Sequence, residues 1–419
     1  MTTSKRFSTA LRPDVRTKIE QLGYADIVVG VPSFDSSDSI AHVLDTITKG
    51  LEQYYPERKA LVMVSDGGST DDTRETARAI DPKSYHIENL VTIYRGIPGK
   101  GSGLRAVFEV AAFLKARAVA VFDSDLLSIT PEWVRNLLEP VMDGYDYVAP
   151  EYKRYKLDGT ITNTIAYNLT RALYGQKIRQ PIGGDFGISP ALIKYYLSQD
   201  VWETDVAKFG IDIWMTTTAI VGGFRICQAR LGAKIHGHKD PSADLGPMFR
   251  QVVGSTFQLM EEFQDFWMNV KASREVPSIG KAVGQDAPPF EIDHANLIDY
   301  FKIGWSNFGS VWQNIIEEQD LQVIRNLAGV EGPDGFLLPM ETWVRIVYRY
   351  ACFFHHTSRQ RIKIIDTMIP LYYARVASLV NELKDKDQEA AEAHFESQAQ
   401  IFEGLKGYLA DLWTREGGE

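Results

Sequence analysis

The 419-residue sequence predicts an α/β fold, a mixed sheet with flanking helices, followed by a mainly helical C-terminal part. Three observations carry this. From Asp26 to about Phe122 short apolar runs alternate with amphipathic stretches, the pattern of parallel strands joined by crossover helices. Each apolar run ends in polar, Gly-rich chemistry, which is where ligands bind in doubly wound sheets. After Asp244 strand signals largely vanish and helical periodicity takes over.

The runs Ile27–Val31, Leu61–Val64, Leu90–Tyr94 and Val119–Phe122 read as strands, and Ser39–Gln53, Asp71–Ile80 and Ser102–Arg117 as the helices between them. From Asp146 to about His238 the pattern is mixed: a strand over Tyr145–Pro150, a helix over Thr164–Tyr174, a turn-rich Gly183–Gly187, a helix over Asp212–Val221 and a strand over Arg225–Ala229. Helices are expected over Met248–Val270, Leu297–Gln319, Glu341–His355, Gln360–Leu383 and Gln388–Trp413, with Ser273–Pro289 as a Gly/Pro-rich linker. The domain reading is an N-terminal helical segment over 1–25, a catalytic domain over 26–255 and a helical domain or extension over 256–419.

Composition narrows the function classes. Net charge is −10, with 24% charged and 44% hydrophobic residues, which excludes wholesale disorder and makes a poor phosphate-backbone binder, so no nucleic-acid partner is expected. The two cysteines, Cys227 and Cys352, offer neither a disulfide framework nor a CxxC site. No apolar window reaches the ~18 residues of a membrane span, and a cytoplasmic protein is the expectation.

The strand ends supply the chemistry. Asp123-Ser124-Asp125 follows an apolar strand, and two carboxylates there suit a hard divalent cation that bridges phosphate oxygens. Ser65-Asp66-Gly67-Gly68-Ser69 lets the backbone approach a ligand while Asp66 accepts hydrogen bonds from a base or ribose. Pro98-Gly99-Lys100-Gly101-Ser102-Gly103 precedes a helix and forms an anion cradle; the spacing is not that of a Walker loop, so Lys100 reads as a diphosphate contact. His236-Gly237-His238 adds an imidazole as a third metal ligand, and the residues alone do not choose between His236 and His238.

In this order, strand-Pro, Asp-Gly-x-Ser-x-Asp, Pro-Gly-Lys-Gly-x-Gly, Asp-x-Asp, Gln-Pro-x-Gly-Gly, Gly-Ile-Asp and His, the chain resembles the retaining GT-A glycosyltransferases that make mannosylglycerate, glucosylglycerate and glucosyl-3-phosphoglycerate. The similarity covers about residues 26–255, and the C-terminal extension is similar to that of mannosylglycerate synthase. The resemblance implies a GT-A fold and a Mg2+ or Mn2+ ion on Asp125 and His236, helped by Asp123, with His238 as second choice. It places Lys100 on the diphosphate, Pro32 and Asp66 at the nucleoside, Asp123 and Ser124 in the nucleotide-sugar motif, and Gln180, Gly183, Gly184 and Asp185 in the donor-sugar loop. Asp212 and Asp125 are the catalytic candidates. Arg154, Thr160 and Thr162 fall on the acceptor region, where an Arg fork suits a carboxylate.

The implied reaction moves glucose or mannose from UDP-glucose, GDP-glucose or GDP-mannose to the 2-hydroxyl of glycerate or a related small carboxylate. Phosphoglycerate-specific relatives carry Arg directly after the Gly matching Gly159; Thr160 stands here, which tilts the acceptor toward unphosphorylated glycerate. Ser33-Phe34-Asp35-Ser36-Ser37 departs from the relatives' Ala-x-Asn-Glu-Glu and leaves the base open. The competing readings are 3-phosphoglycerate as acceptor, an inverting family-2-type transferase, a nucleotidyltransferase and a non-catalytic protein on the same fold. The helical part reads as a packed structural domain or, more sharply, as a homodimer interface or active-site wall.

Overall fold

The computed structural model describes residues 7–80, 82, 84–236, 241–284 and 286–415, with no side-chain description for 241–245. It divides into two compact units. The first comprises Met1–Lys153, Ile178–His238 and Val276–Ala287; the second comprises Arg154–Lys177, Lys239–Glu275 and Pro288–Glu419.

In chain order the strands are β1 (Ile27–Ser33), β2 (Ala60–Asp66), β3 (Ile87–Ile93), β4 (Ala118–Val121), β5 (Tyr147–Tyr152), β6 (Gln176–Lys177), β7 (Phe186–Ile188), β8 (Ile226–Gly232), β9 (Arg274–Glu275) and β10 (Ser278–Ile279). In the first unit eight of them form one sheet in the order β10-β8-β5-β7-β4-β1-β2-β3. β7 alone in that sheet runs antiparallel, against both β4 and β5. The short runs Ile27–Val31 and Leu61–Val64 are fully buried, as strands covered on both faces must be. The core between this sheet and one helical layer gathers Val29, Val31, Val62, Ala120 and Phe122 with Ile47, Trp133 and Leu137.

The sheet's helices are α1 (Pro13–Leu22), α2 (Ile40–Tyr54), α3 (Thr73–Ala79), α4 (Lys100–Phe113) and α5 (Pro131–Met142). The second unit holds α6 (Tyr167–Tyr174), and the first continues with α7 (Pro190–Ser198) and α8 (Ile211–Val221). The remaining helices belong to the second unit: α9 (Pro241–Glu262), α10 (Gln264–Asn269), α11 (His294–Ile315), α12 (Glu318–Ala328), α13 (Met340–His356), α14 (Arg361–Leu383), α15 (Gln388–Gly404) and α16 (Lys406–Arg415). A π-helical turn, Thr162–Ala166, leads into α6.

The units cut across the expected boundaries 26–255 and 256–419. Residues 154–177 join the helical unit because Leu157 packs with Leu379, Leu383, Ala391 and Phe395, and because Arg171 pairs with Glu396 and Glu403. The expected linker Ser273–Pro289 carries structure: Ser278 and Ile279 pair with Gln228 and Ala229, so β10 extends the main sheet. Gln388–Trp413 is two helices rather than one, broken at Leu405, and α12 is hidden from the sequence because its segment between two longer periodic runs reads as polar.

Candidate active site

Reversal of β7 shapes the site. Parallel strands β1, β2 and β4 deliver their following loops to one edge of the sheet, whereas β7 starts at that edge, so the residues before it arrive there too. Gln180–Asp185 therefore meets the turn after β4, and the Asp123 N–H donates to Asp185 Oδ1 at 2.8 Å. β4 ends at Val121, so strand alternation does not govern how Asp123 and Asp125 point.

Asp123, expected to help hold the metal, is met by two ammonium groups. Its Oδ1 faces Lys100 Nζ at 2.8 Å and its Oδ2 accepts from Lys234 Nζ at 2.7 Å. Lys100 also reaches Asp212 Oδ2 at 3.1 Å, and Lys234 reaches Asp185 Oδ2 at 2.9 Å. Tyr152 Oη donates to Asp185 Oδ2. These charges form one chain, Asp185–Lys234–Asp123–Lys100–Asp212. Burial alone lowers the Lys100 pKa, but Asp123 and Asp212 outweigh it and hold the ammonium above its ordinary range. Burial pushes Asp123 up, and Lys100 with Lys234 more than reverses that, holding the carboxylate well below its usual range. Asp185 and Asp212 are raised by burial, only partly opposed by Lys234 and Lys100 respectively. Three buried carboxylates face two ammonium groups, and the excess negative charge suits a further cation or a proton.

Two glycines are required by contact. Gly184 has φ +92°, and a Cβ there would collide with the Asp123 carboxylate and sit 2.8 Å from Lys234 Nζ. Gly101 lies so close to the Val206 carbonyl that no side chain fits. The second contact corrects the reading of the glycine-lysine segment. α4 starts at Lys100 itself, the Gly99 N–H donates to Tyr94 Oη at 2.8 Å and the Gly101 N–H to the Lys208 carbonyl at 3.2 Å. Gly99 and Gly101 thus serve close packing of the helix start, and Lys100 is the group left to meet an anion.

Asp66, 0% exposed, accepts from the N–H groups of Gly68 and Ser69 at 2.9 Å each and from the hydroxyls of Ser33 and Ser69 at 3.0 and 2.5 Å. It holds the turn after β2 rather than presenting a free carboxylate. Pro32 is half-buried in β1 opposite Ser65, and Ser124 Oγ lies 2.8 Å from Ser36 Oγ. Gln180 Oε1 and Asp212 Oδ1 are buried acceptors with no hydrogen-bond donor among the described residues. Gly183 gives its carbonyl to Lys234 at 2.8 Å.

Among the described residues no three His, Cys, Asp or Glu side chains converge as a closed metal cage. An isolated antiparallel bridge pairs Leu126 with His236, and the Leu127 N–H donates to the Ile235 carbonyl at 2.8 Å, so the backbone carries Asp125 alongside His236. A carboxylate and an imidazole, completed by phosphate oxygens, are a donor set that Mg2+ or Mn2+ accepts. His238 lies outside the described residues.

The acceptor candidates all belong to the helical unit. Arg154 Nη1 pairs with Asp158 Oδ2 at 3.0 Å. Thr160 is 3% exposed, its hydroxyl 2.5 Å from Tyr372 Oη, and Thr162 opens the buried π turn. Sequence reasoning missed Lys234 and Tyr152. The signal for Lys234 was a lone cation inside the apolar stretch Leu231-Gly-Ala-Lys-Ile235, a placement that demands carboxylate partners.

The fold and this site define a class, the GT-A glycosyltransferases, and comparison with known proteins agrees. Residues 28–197, less than half of the chain, match the model of Glycosyl transferase family 2. The glucosyl-3-phosphoglycerate synthase of Mycolicibacterium paratuberculosis is 28% identical over 250 residues, 55% of this chain and 70% of that protein. Its counterpart from Mycolicibacterium smegmatis is 27% identical over 247 residues, 55% of this chain and 76% of that protein. Among solved structures, glucosyl-3-phosphoglycerate synthase from Mycobacterium tuberculosis in complex with Mg2+ and UDP is similar with a TM-score of 0.45 and 25% identity, covering 57% of this chain and 83% of that one. The chain is a metal-dependent hexosyltransferase similar to the glucosyl-3-phosphoglycerate synthases.

Proposed function

We propose that the protein transfers a hexose, with retention of configuration, from a nucleoside diphosphate sugar to the 2-hydroxyl of glycerate or a closely related small carboxylate. The single observation that supports this best is the charge chain Asp185–Lys234–Asp123–Lys100–Asp212 at the strand ends, with Asp125 carried beside His236. Glucose as the hexose is supported by the name shared by the similar proteins, which are glucosyl transferases. UDP-glucose, GDP-glucose and GDP-mannose are the donors to be compared.

In this reading Lys100 meets the diphosphate and stabilises it as it leaves. Asp125 and His236 would hold Mg2+ or Mn2+, which would supply several kcal/mol of charge neutralisation at the leaving phosphates. Asp212 stands in the first turn of α8 with Oδ1 lacking a donor and receives a hydroxyl of the sugar or acceptor. Gln180 Oε1 offers a second buried acceptor of the same kind. Arg154 and Thr162 orient the acceptor's carboxylate, and orientation is a large part of the rate of such transfers.

A second reading, 3-phosphoglycerate as acceptor, is favoured by the relatives' activity as named. Thr160 argues for the unphosphorylated acid, because its buried hydroxyl is spent on Tyr372 and no cation stands at that position. Incubating the protein and Mn2+ with the three donors against glycerate, 3-phosphoglycerate and glycolate, with products read by NMR, tests both. An α-linked hexosylglycerate is expected. A β-linked product, or none with any of these acids, would overturn the proposal, and a product only with 3-phosphoglycerate would select the second reading.

A further inference from the structure

Lys234 is a second buried cation of the site beside Lys100, and none of the motifs contains it. An ammonium has three N–H groups. Three oxygens receive them: Asp123 Oδ2 at 2.7 Å, Gly183 O at 2.8 Å and Asp185 Oδ2 at 2.9 Å. The side chain is 3% exposed, and the Tyr152 ring covers it with its centroid 5.2 Å away. So enclosed, it is less open to a substrate than Lys100, whose side chain is 12% exposed.

We propose that Lys234 is a positioning residue of the transfer reaction: acting through Asp123, it keeps Lys100 available to the donor's diphosphate. The inference rests on the reading that Lys100 contacts the diphosphate. Asp123 has two oxygens, and with Oδ2 held by Lys234 only Oδ1 is left for Lys100. Lys100 then divides itself between Asp123 at 2.8 Å, Asp212 at 3.1 Å and the Gly184 carbonyl at 3.4 Å, none of them a two-point grip. Remove Lys234 and Asp123 Oδ2 loses its cation; the nearest replacement is Lys100, which the carboxylate would grip with both oxygens and withdraw from an incoming anion.

The test uses the full chain as wild type, Lys234→Met, Lys234→Arg, Asp123→Asn and the Asp123→Asn/Lys234→Met pair. Calorimetry reads binding of UDP and GDP, each with and without Mn2+, and steady-state assays read donor KM and kcat. Lys234→Met is expected to weaken nucleoside diphosphate binding about tenfold, with a matching rise in donor KM and a smaller change in kcat. In the Asp123→Asn background the same replacement is expected to change binding no further. Lys234→Arg, which keeps the charge but not the three-point geometry, is expected to fall between wild type and Lys234→Met. Wild-type binding and donor KM in Lys234→Met would overturn the proposal. So would an equal loss in both backgrounds, which would mean that Lys234 touches the ligand itself. Where Lys234→Met does not fold, Asp123→Asn is compared with the paired variant, whose charges are removed together: equal binding supports the positioning role, and a further loss in the pair overturns it. A protein that binds UDP or GDP but transfers hexose to none of the acids sinks the function above, while the binding comparison still decides the role of Lys234.

Discussion

Two parts of the sheet edge answer buried carboxylates in different ways. After β2, Asp66 takes all its hydrogen bonds from neutral donors, two backbone N–H groups and two hydroxyls, three of the four within three residues along the chain, and the Arg74 guanidinium stands off at 3.7 Å. At the junction of β4 and β7, Asp123 and Asp185 are satisfied by an ammonium that lies 111 and 49 residues away. Neutral local donors fix a shape and leave little to rearrange. Ammonium groups shared among several carboxylates fix a charge balance, and such a balance shifts when an anion or a cation arrives. The first arrangement suits a rigid wall, the second a place where charge moves during reaction.

That contrast can be broken experimentally, the charged junction first. Asp125→Ala is expected to lower Mn2+-dependent transfer about 100-fold or more, the several kcal/mol a metal supplies, with little change in the denaturation midpoint. Full metal-dependent activity in that variant would remove the metal assignment. At the neutral end the large effect is on stability. Asp66→Ala strands the Gly68 and Ser69 N–H groups and is expected to cost about 3 kcal/mol in denaturant unfolding. A stable Asp66→Ala protein with weakened nucleotide binding would erase the distinction between wall and reactive junction.

A lysine of the helical unit sharpens the comparison. Lys406 is partly buried and donates to the Val270 carbonyl at 2.7 Å. Burial, with Lys271 adding repulsion and Glu403 opposing only weakly, pulls its pKa down to about 8, opposite in direction to Lys100. Between pH 8 and the unfolded value of 10.5 the unfolded chain holds the proton that the folded one has released, so stability rises with pH across that window. Lys406→Met is expected to add about 1 kcal/mol at pH 7, after discounting for solvent screening, and to flatten the rise. A pH profile unchanged by that replacement would mean that a carbonyl suffices to hold a buried ammonium.

The smallest effect belongs to Asp71. Hydrogen bonds from the Thr73 hydroxyl, and from the N–H groups of Ser37 and Thr73, bring its pKa down to about 2 from 3.8. Its contribution is complete above pH 3.8 and is lost as pH falls through 2, so Asp71→Asn is expected to flatten the acid limb of thermal stability in that range. An acid limb identical to wild type would show that these neutral donors do not distinguish the charged carboxylate.

The two ends also differ in how far they can be read from the chain alone. β1, β2 and β4 follow from buried apolar runs, Asp66 and Asp123 from the polar residues that end the last two, and Lys100 from the Gly-rich segment after β3. β7 is not legible, because Phe186-Gly187-Ile188 is too short to show a period and its glycine, with Gly183 and Gly184 before it, reads as a turn. With β7 hidden, the approach of Asp185 to Asp123 is hidden too, and so is the need for Lys234. The helix start at Lys100 escapes the sequence because a run of three glycines has little helix propensity, and only contact with Val206–Lys208 explains it. Residues 154–177 fall to the unexpected unit for a similar reason: Leu157 and Arg171 find their partners more than 200 residues later.

The place of Lys234 in the chain also bears on the order in which the protein forms. Asp123 and Asp185 can meet once β4 and β7 have paired, but their ammonium comes after β8, which takes its place beside β5. Long-range pairings of this kind are made late, because the entropy of closing the loop is spent before the contact returns anything. Without β8 in place, Asp123 and Asp185 lack this shared counter-charge. The reactive junction is therefore complete only when β8 has joined the sheet.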